Sequence, residues 1–522
     1  MNVDNLFFKR NLIKNMKNNS QKIDDGAQKK LSNAKTEIIL KTENIVEDKK
    51  REDVIIHSPD DSGINKKILK RIRKFWKLNG KDFNTQYFDI NQNGELIVLE
   101  GNYQYNIKSL VQKFGTSLEI FFPFILKERL EDLIDLFRLF MRYYKYRGKF
   151  YYHFPMKVNQ NKEYILSLVA EGANLEVGSY NELFLVKKLW EQNSFHSGIK
   201  VICNGPKTED YLNLINELKN NNLSIIPIIE DFNELRFLQT YKGDVGIRVD
   251  LDIKVHSHWD KKINRFGFLP QELLKIGKIR NLKILHYHVG SQIELLEDIM
   301  SPIKKAMDIY IKLKKLNPTL DTLDIGGGMP IPYERKRQYG IEGLTRKIIK
   351  FLQNTADREG ISHPNLICEW GRYIVAPAQI SIFKVIGEKN IPKGNARKWY
   401  IIDGSFMNDL LDTWALHQKW HVVPVNAADS KKLIRAWLAG SSCDSDDKYI
   451  AHGNYIMLPS LDNLPENESL YISFFDTGAY QDALASHHCL LSSPAKIIAQ
   501  NGETKVIRRR ETPDDVGKLF GW

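Results

Sequence analysis

Tyr151-Tyr152-His153-Phe154-Pro155-Met156-Lys157-Val158-Asn159-Gln160 is a short apolar and aromatic run that delivers one lysine at its end. A run of this length reads as a buried strand, and a lysine just past it stands where a barrel strand meets its loop. Partly desolvated there, the Lys157 amine would be neutral enough to attack an aldehyde. Taken alone, the same residue reads equally as a solvated lysine at a strand end, so its neighbours must decide.

Working outward, strand-like runs end near Lys157, Glu176, Asn204, Glu230, Asp250, His288, Asp324 and Glu369. Segments able to form helices separate most of them, such as Lys162 to Ala170 and Ser301 to Leu316. Eight such units predict a (β/α)8 barrel over residues 148–383, with polar residues at the carboxyl ends of the strands, where barrel chemistry gathers. Upstream, over residues 69–147, a hairpin is expected around Asn91-Gln92-Asn93-Gly94, followed by a helix from Leu126 to Tyr144. Downstream, short β-like runs at Trp399–Ile402, Leu433–Leu438, Ser469–Phe475 and Ala495–Ile498 predict a β-rich domain over residues 384–522. The hairpin before the barrel is expected to complete it.

The chain has 522 residues, 42% of them hydrophobic, and a net charge of +12. Much of the basic excess lies in the first eighty residues, and residues 1–68 read as a mobile basic tail too poor in apolar side chains to order itself. A nucleic-acid role would rest on that tail alone, and no nucleic-acid partner is expected for the rest. Four scattered cysteines make neither a disulfide framework nor a paired zinc pattern, which suits a reducing compartment; cytoplasm is the expected location. The apolar run Ile120 to Leu126 contains Pro123 and is far too short to span a membrane.

Several short motifs carry chemistry. Asp324-Ile325-Gly326-Gly327-Gly328-Met329-Pro330 follows a strand, and its glycines would let backbone N–H groups approach an anion such as phosphate, although a plain turn fits as well. The run lacks the spacing of a dinucleotide fingerprint or a Walker loop. His286-Tyr287-His288 places two histidines on one strand face; without a completed ligand set they favour packing or ring stacking, and no metal is expected there. His487-His488-Cys489 invites a metal reading just as weakly. Glu369-Trp370-Gly371-Arg372 offers a carboxylate for a cationic heterocycle and an arginine for a phosphate, or simply a local ion pair. Ser441-Ser442-Cys443-Asp444-Ser445-Asp446-Asp447 gathers a thiol and three carboxylates in a turn-prone loop.

Together and in this order, the motifs resemble the fold-type III pyridoxal-phosphate decarboxylases, the family of arginine, ornithine and diaminopimelate decarboxylases. The similarity is greatest to biosynthetic arginine decarboxylases, through Gln86-Tyr87-Phe88-Asp89, Pro155-Met156-Lys157-Val158-Asn159-Gln160, Leu175-Glu176-Val177-Gly178-Ser179, Val201-Ile202-Cys203-Asn204-Gly205 and Cys443-Asp444-Ser445-Asp446. The resemblance implies an alanine-racemase-like barrel plus a β domain, pyridoxal 5′-phosphate as cofactor, and a homodimer with sites at the subunit interface. It implies that Lys157 forms the Schiff base with the cofactor, that Glu369 meets the ring nitrogen, and that His288 stacks on the ring. Ser291, Gly327, Gly328, Gly371, Arg372 and Tyr480 match the phosphate site, and Glu176 and Arg248 the Schiff-base side. Cys443, from the partner subunit, matches the proton donor, and Asp444 the residue meeting the substrate's distal cation, with Asp412 and Asp446 as weaker candidates.

The implied reaction is decarboxylation of a basic or diamino acid, arginine first, then ornithine or lysine. A carboxypolyamine such as carboxynorspermidine or a citryl-ornithine siderophore precursor is the alternative, and a catalytically dead regulatory relative a more distant one. The chain departs from larger arginine decarboxylases in lacking an inserted helical bundle after Ile380, in the segment Lys254 to Arg265, and in Trp370.

Overall fold

The computed structural model describes residues 66–195, 198–237, 240–257, 264–333, 339–449 and 454–522. Nearly all of the basic tail, and the middle of the Lys254 to Arg265 segment, lie outside these residues.

Before the barrel, β1 (Phe88–Ile90), β2 (Leu96–Glu100) and β3 (Tyr103–Asn106) form an antiparallel sheet of their own. Its first turn is closed by Asn91, whose Oδ1 accepts from the N–H groups of Asn93 and Glu95, while Gly94 adopts a left-handed φ of 70°. A fourth strand, β4 (Leu118–Phe121), is fully buried and leads into the helix Pro123–Tyr143, where Pro123 occupies the first turn that tolerates proline.

The barrel follows the expected rhythm. β5 (Phe150–Pro155), β6 (Asn174–Val177), β7 (Lys200–Cys203), β8 (Ser224–Ile229), β9 (Val245–Arg248), β10 (Leu282–His286), β11 (Thr322–Asp324) and β12 (Asn365–Cys368) are parallel and close on themselves through β9–β10 and β12–β5. The intervening helices cover them with their apolar faces; Lys162–Ala170, for instance, buries Tyr164, Ile165, Leu168 and Val169. Strands covered outside and packed inside carry no polar stripe, which explains their near-continuous apolar runs. Ile202, Ile228, Ile284 and Ile367, from four different strands, make a separate apolar layer. Two residues further along their strands come Asn204, Glu230, His286 and Glu369, so the two-residue period sets a buried polar layer above the isoleucines at the carboxyl mouth.

Beyond the barrel lie β13 (Gln379–Asn390), β14 (Lys398–Ile402), β15 (Val422–Pro424), β16 (Leu433–Ala439), β17 (Lys448–Tyr449), β18 (Ile456–Pro459), β19 (Tyr471–Phe474), β20 (Ala495–Gln500) and β21 (Glu503–Arg508). The main path of this sheet is β17-β16-β14-β13-β4-β20-β21. The hairpin does not complete this sheet, which is joined instead by another segment from before the barrel: β4 runs between β13 and β20, while the hairpin strands pair only within their own small sheet. The register of β4 is not readable locally, because its partners lie hundreds of residues away. β13 and β14 are antiparallel neighbours joined by a short connection with no helical bundle between them. Among the described residues no helix is long and apolar enough to cross a membrane.

Candidate active site

Lys157 sits in a single 3-10 turn, Met156–Val158, directly after β5. Its Nζ is 3.9 Å from Oε2 of Glu176 on the neighbouring β6, and the lysine side chain is 46% exposed while that of Glu176 is 1% exposed. The Glu176 carboxylate, seconded by Glu369 and Tyr480, raises the lysine pKa, and partial burial does not offset it. The expected neutral amine is therefore corrected: the nearby carboxylates hold Lys157 protonated.

Glu369 immediately follows β12. Its Oε1 accepts from Nδ2 of Asn204 at 3.1 Å, and its Oε2 is buried without a hydrogen-bond partner. His286 Nδ1 lies 3.1 Å from Asp324 Oδ2 and 3.9 Å from Glu369 Oε1. Asp324 Oδ1 accepts from the Gly326 N–H at 2.9 Å. Burial, reinforced by Asp324, pushes Glu369 up to about 8. Burial also pushes Asp324 up to about 7 and His286 down to about 4. Among the described residues these three are the group whose ligand-type atoms converge, within 4.8 Å of one another. They come from the ends of the adjacent strands β10, β11 and β12, Glu369 standing just past the last, and form a buried polar floor. The expectation that His286 and His288 share a strand face is corrected here. β10 ends at His286, which is buried in this floor, whereas His288 lies past the strand and lines the cleft above.

That cleft has an empty volume of about 330 Å³ and brings together Lys157, His288, Ser291, Gly327, Gly328, Glu369, Gly371, Arg372 and Tyr480. The glycines are needed for close approach: a Cβ on Gly326 would stand 2.3 Å from the Tyr287 carbonyl oxygen, and one on Gly327 2.8 Å from His288 Nε2. Arg372 donates from Nη1 to the Tyr333 hydroxyl at 2.5 Å, meets Asp412 Oδ2 at 3.4 Å, and lies 4.5 Å over the Tyr480 ring. Its Nε is buried and without a hydrogen-bond partner. The Tyr480 N–H donates to the Val158 carbonyl at 2.8 Å and Asn159 Nδ2 to the Gly478 carbonyl at 2.9 Å, stitching the tyrosine loop to the lysine turn.

The remaining candidates are placed elsewhere in the chain. Arg248 pairs with Glu230 at 3.2 Å and covers Phe266, beside the polar layer. Asp412 is buried against Arg372 and accepts from Gln481 Nε2 at 2.9 Å. Cys443, Asp444 and Asp446 occupy an exposed or half-exposed loop and are not among the residues lining this cleft. Cys443 Sγ is 3.6 Å from Cys489 Sγ, a neighbour that raises the Cys443 pKa; Asp444 meets His488 at 3.3 Å and Asp446 meets Lys448 at 3.1 Å. Sequence reasoning assigned no role to Asn204, Asp324 or Tyr333. Asn204 and Asp324 were visible only as polar strand ends, and nothing local marks Tyr333.

Residues 130–376 match the family model described as pyridoxal-dependent decarboxylase, pyridoxal binding domain. That match, the curated relatives and the structural neighbours together support a fold-type III pyridoxal-phosphate decarboxylase of the ornithine, arginine and diaminopimelate decarboxylase family. A curated relative, the biosynthetic arginine decarboxylase of Prochlorococcus marinus (strain AS9601), is 24% identical over 601 aligned positions, covering 87% of this chain and 92% of the relative. An alignment longer than the chain itself means that this decarboxylase lacks segments the relative carries. The structure of the biosynthetic arginine decarboxylase from Campylobacter jejuni superposes with a TM-score of 0.71 at 21% identity, over 84% of this chain and 91% of that one. Diaminopimelate decarboxylase from M. jannaschii, solved with L-lysine, gives a TM-score of 0.71 at 22% identity, over 83% and 97%.

Pyridoxal 5′-phosphate is the cofactor of this decarboxylase family, and the site fits it. Glu369 lines the cleft and has a buried oxygen without a hydrogen-bond partner, which a cationic ring nitrogen would satisfy. The glycines of the run pack against Tyr287, His288 and Ile293 where a Cβ would clash, which keeps the backbone of this cleft-lining loop close and bare, and Arg372 offers a buried N–H with no other acceptor.

Proposed function

We propose that this decarboxylase removes CO2 from a basic or diamino acid, with arginine, giving agmatine, as first choice and ornithine or lysine next. The observation that carries the reading is that one cleft is lined by Lys157, by Glu369, which has a buried unpartnered Oε2, and by Arg372, which has a buried unpartnered Nε. Each is a group that the cofactor would complete.

Glu369 would hold the ring nitrogen, His288 the ring face, and Arg372, Ser291, Gly328, Gly371 and Tyr480 the phosphate. When bound, pyridoxal phosphate supplies an aldehyde for the substrate amine and a protonated ring that draws off the electrons of the carboxylate bond. The chain's own residues do the rest. Lys157 presents its amine at the mouth and keeps a proton there under the field of Glu176. Glu369 would pair as an anion with the ring nitrogen and would keep it protonated. Cys443 belongs to a loop outside the cleft of its own chain, which supports its reaching the site of a second copy, where its Sγ would hand a proton to the carbon that has lost CO2. Asp444 would meet the cationic tail, and its negative charge would favour a cationic substrate over an uncharged one.

The test is CO2 release from purified protein over arginine, ornithine, lysine, diaminopimelate, carboxynorspermidine and citryl-ornithine. Release from one of the basic amino acids supports the reading; release from a conjugate alone replaces it with the alternative, which the missing internal segments favour. Asp444→Ala is expected to raise KM for the cationic substrate at least tenfold with little change in the visible absorbance of the bound cofactor. An unchanged KM sinks the specificity argument.

A further inference from the structure

Two of the four cysteines meet in space. Cys443 and Cys489 are both exposed, and their sulfurs are 3.6 Å apart although 46 residues separate them. A contact between two exposed loops would carry little if either loop were loose, but both are pinned to the same turn, Ser405 to Asp409. On the Cys443 side the buried Asp447 accepts from the Phe406 N–H at 2.7 Å and from the Ser442 N–H at 3.2 Å, and its own carbonyl accepts from the Gly440 N–H. On the Cys489 side the buried Asn408 donates to the His488 carbonyl at 3.0 Å and accepts from the His488 N–H at 3.0 Å and the Ser486 hydroxyl at 2.8 Å. A second bridge, Asp444 to His488 at 3.3 Å, runs beside the thiols. Cys489 is held at a left-handed φ of 57°, so its backbone conformation is imposed by these contacts rather than by local preference.

We propose that Cys443 and Cys489 are a thiol-oxidation site that closes to an intrachain disulfide and thereby withdraws the Cys443 thiol from decarboxylation. The effect on activity rests on the proton-donor role proposed above for Cys443. With a peroxide as oxidant, one thiolate attacks the peroxide oxygen and becomes a sulfenic acid as the O–O bond breaks. The neighbouring thiolate then attacks that sulfur, the S–S bond forms, and the S–O bond breaks with hydroxide leaving as water. Two thiols are oxidised by two electrons in all, and one hydrogen peroxide is reduced to two waters. The sulfurs need to close from van der Waals contact to about 2.05 Å, a rotation of side chains already placed together. An external dithiol reverses the step.

The experiment uses the full-length holoenzyme treated with hydrogen peroxide, then digested without reduction and analysed by mass spectrometry, with CO2 release measured in parallel. The expected result is a peptide pair joined through Cys443 and Cys489 in a chain that still migrates as a monomer on non-reducing electrophoresis. Activity should fall about a hundredfold in step with the bond, the scale of a lost general acid, and dithiothreitol should restore it. Cys489→Ser is expected to keep the basal rate and to lose the portion of inactivation that dithiothreitol recovers. Absence of the joined pair, or a bond between two chains instead of within one, overturns the proposal. If the bond forms within the chain while CO2 release is undiminished, the oxidation site stands and the proton-donor assignment of Cys443 falls.

Discussion

Glu369 is a carboxylate in a place that makes its charge expensive. Buried beside Asp324, it has a pKa of about 8 against an ordinary 4.5. A raised carboxylate pKa means that between pH 4.5 and 8 the folded protein holds a proton that the unfolded chain has released. Stability of the cofactor-free protein is therefore lost as pH rises through that window. Glu369→Gln removes the penalty, so the cofactor-free variant should be more stable than the parent at about pH 8, on the order of 4 kcal/mol. The difference should fade toward about pH 4, as read by urea unfolding at each pH. The variant should also retain the cofactor less well, because the ring nitrogen loses its anion. A cofactor-free variant less stable than the parent at about pH 8 would show that the charge on Glu369 is already compensated by the floor. The same logic explains Lys157: desolvation alone predicts a neutral amine, and a carboxylate on the adjacent strand reverses the sign.

At the level of elements, β4 is held by more than its register. Glu119 on β4 and Asp482, two residues past Tyr480, share the fully buried Lys496 of β20, at 3.1 and 2.9 Å, and both also meet Arg508 of β21. The two cations hold Asp482 well below the usual carboxylate range even though burial opposes them. Asp482 also accepts from Asn161, just past the lysine turn. The network therefore ties the large sheet to both sides of the cleft. Lys496→Met keeps the volume and leaves two buried carboxylates with one arginine. It should cost about 3 kcal/mol in urea unfolding, the scale for breaking a buried pair, and should weaken cofactor retention as well. A loss below about 1 kcal/mol would mean that Arg508 alone carries the network.

For the whole molecule, the decisive question is whether one chain completes its own site. If Cys443 serves a second copy, Lys157→Ala and Cys443→Ala are each inactive alone, yet a mixed dimer contains one site with both residues intact. Mixing the two variants after reversible dissociation should restore about a quarter of the parental CO2 release, since half the dimers are mixed and one site in each is whole. No recovery in demonstrably mixed dimers would place both residues in the same chain's site. Much of this protein was legible in its sequence. Strands apolar on both faces and ending near Lys157, Glu176, Asn204, Glu230, His288, Asp324 or Glu369 follow from burial against the barrel interior and its helices, a constraint written locally in every unit. The cleft residues were legible as short motifs for the same reason: glycines and single charges at strand ends keep their meaning without knowledge of their neighbours. What only the tertiary structure decided was every property that depends on strands brought together by closure. These are the passage of β4 through the large sheet, the sinking of His286 beneath His288 into a floor with Asp324 and Glu369, the protonation of Lys157, and the meeting of Cys443 with Cys489. Each depends on an electrostatic or packing partner distant in sequence, and the local pattern of residues does not encode such distances.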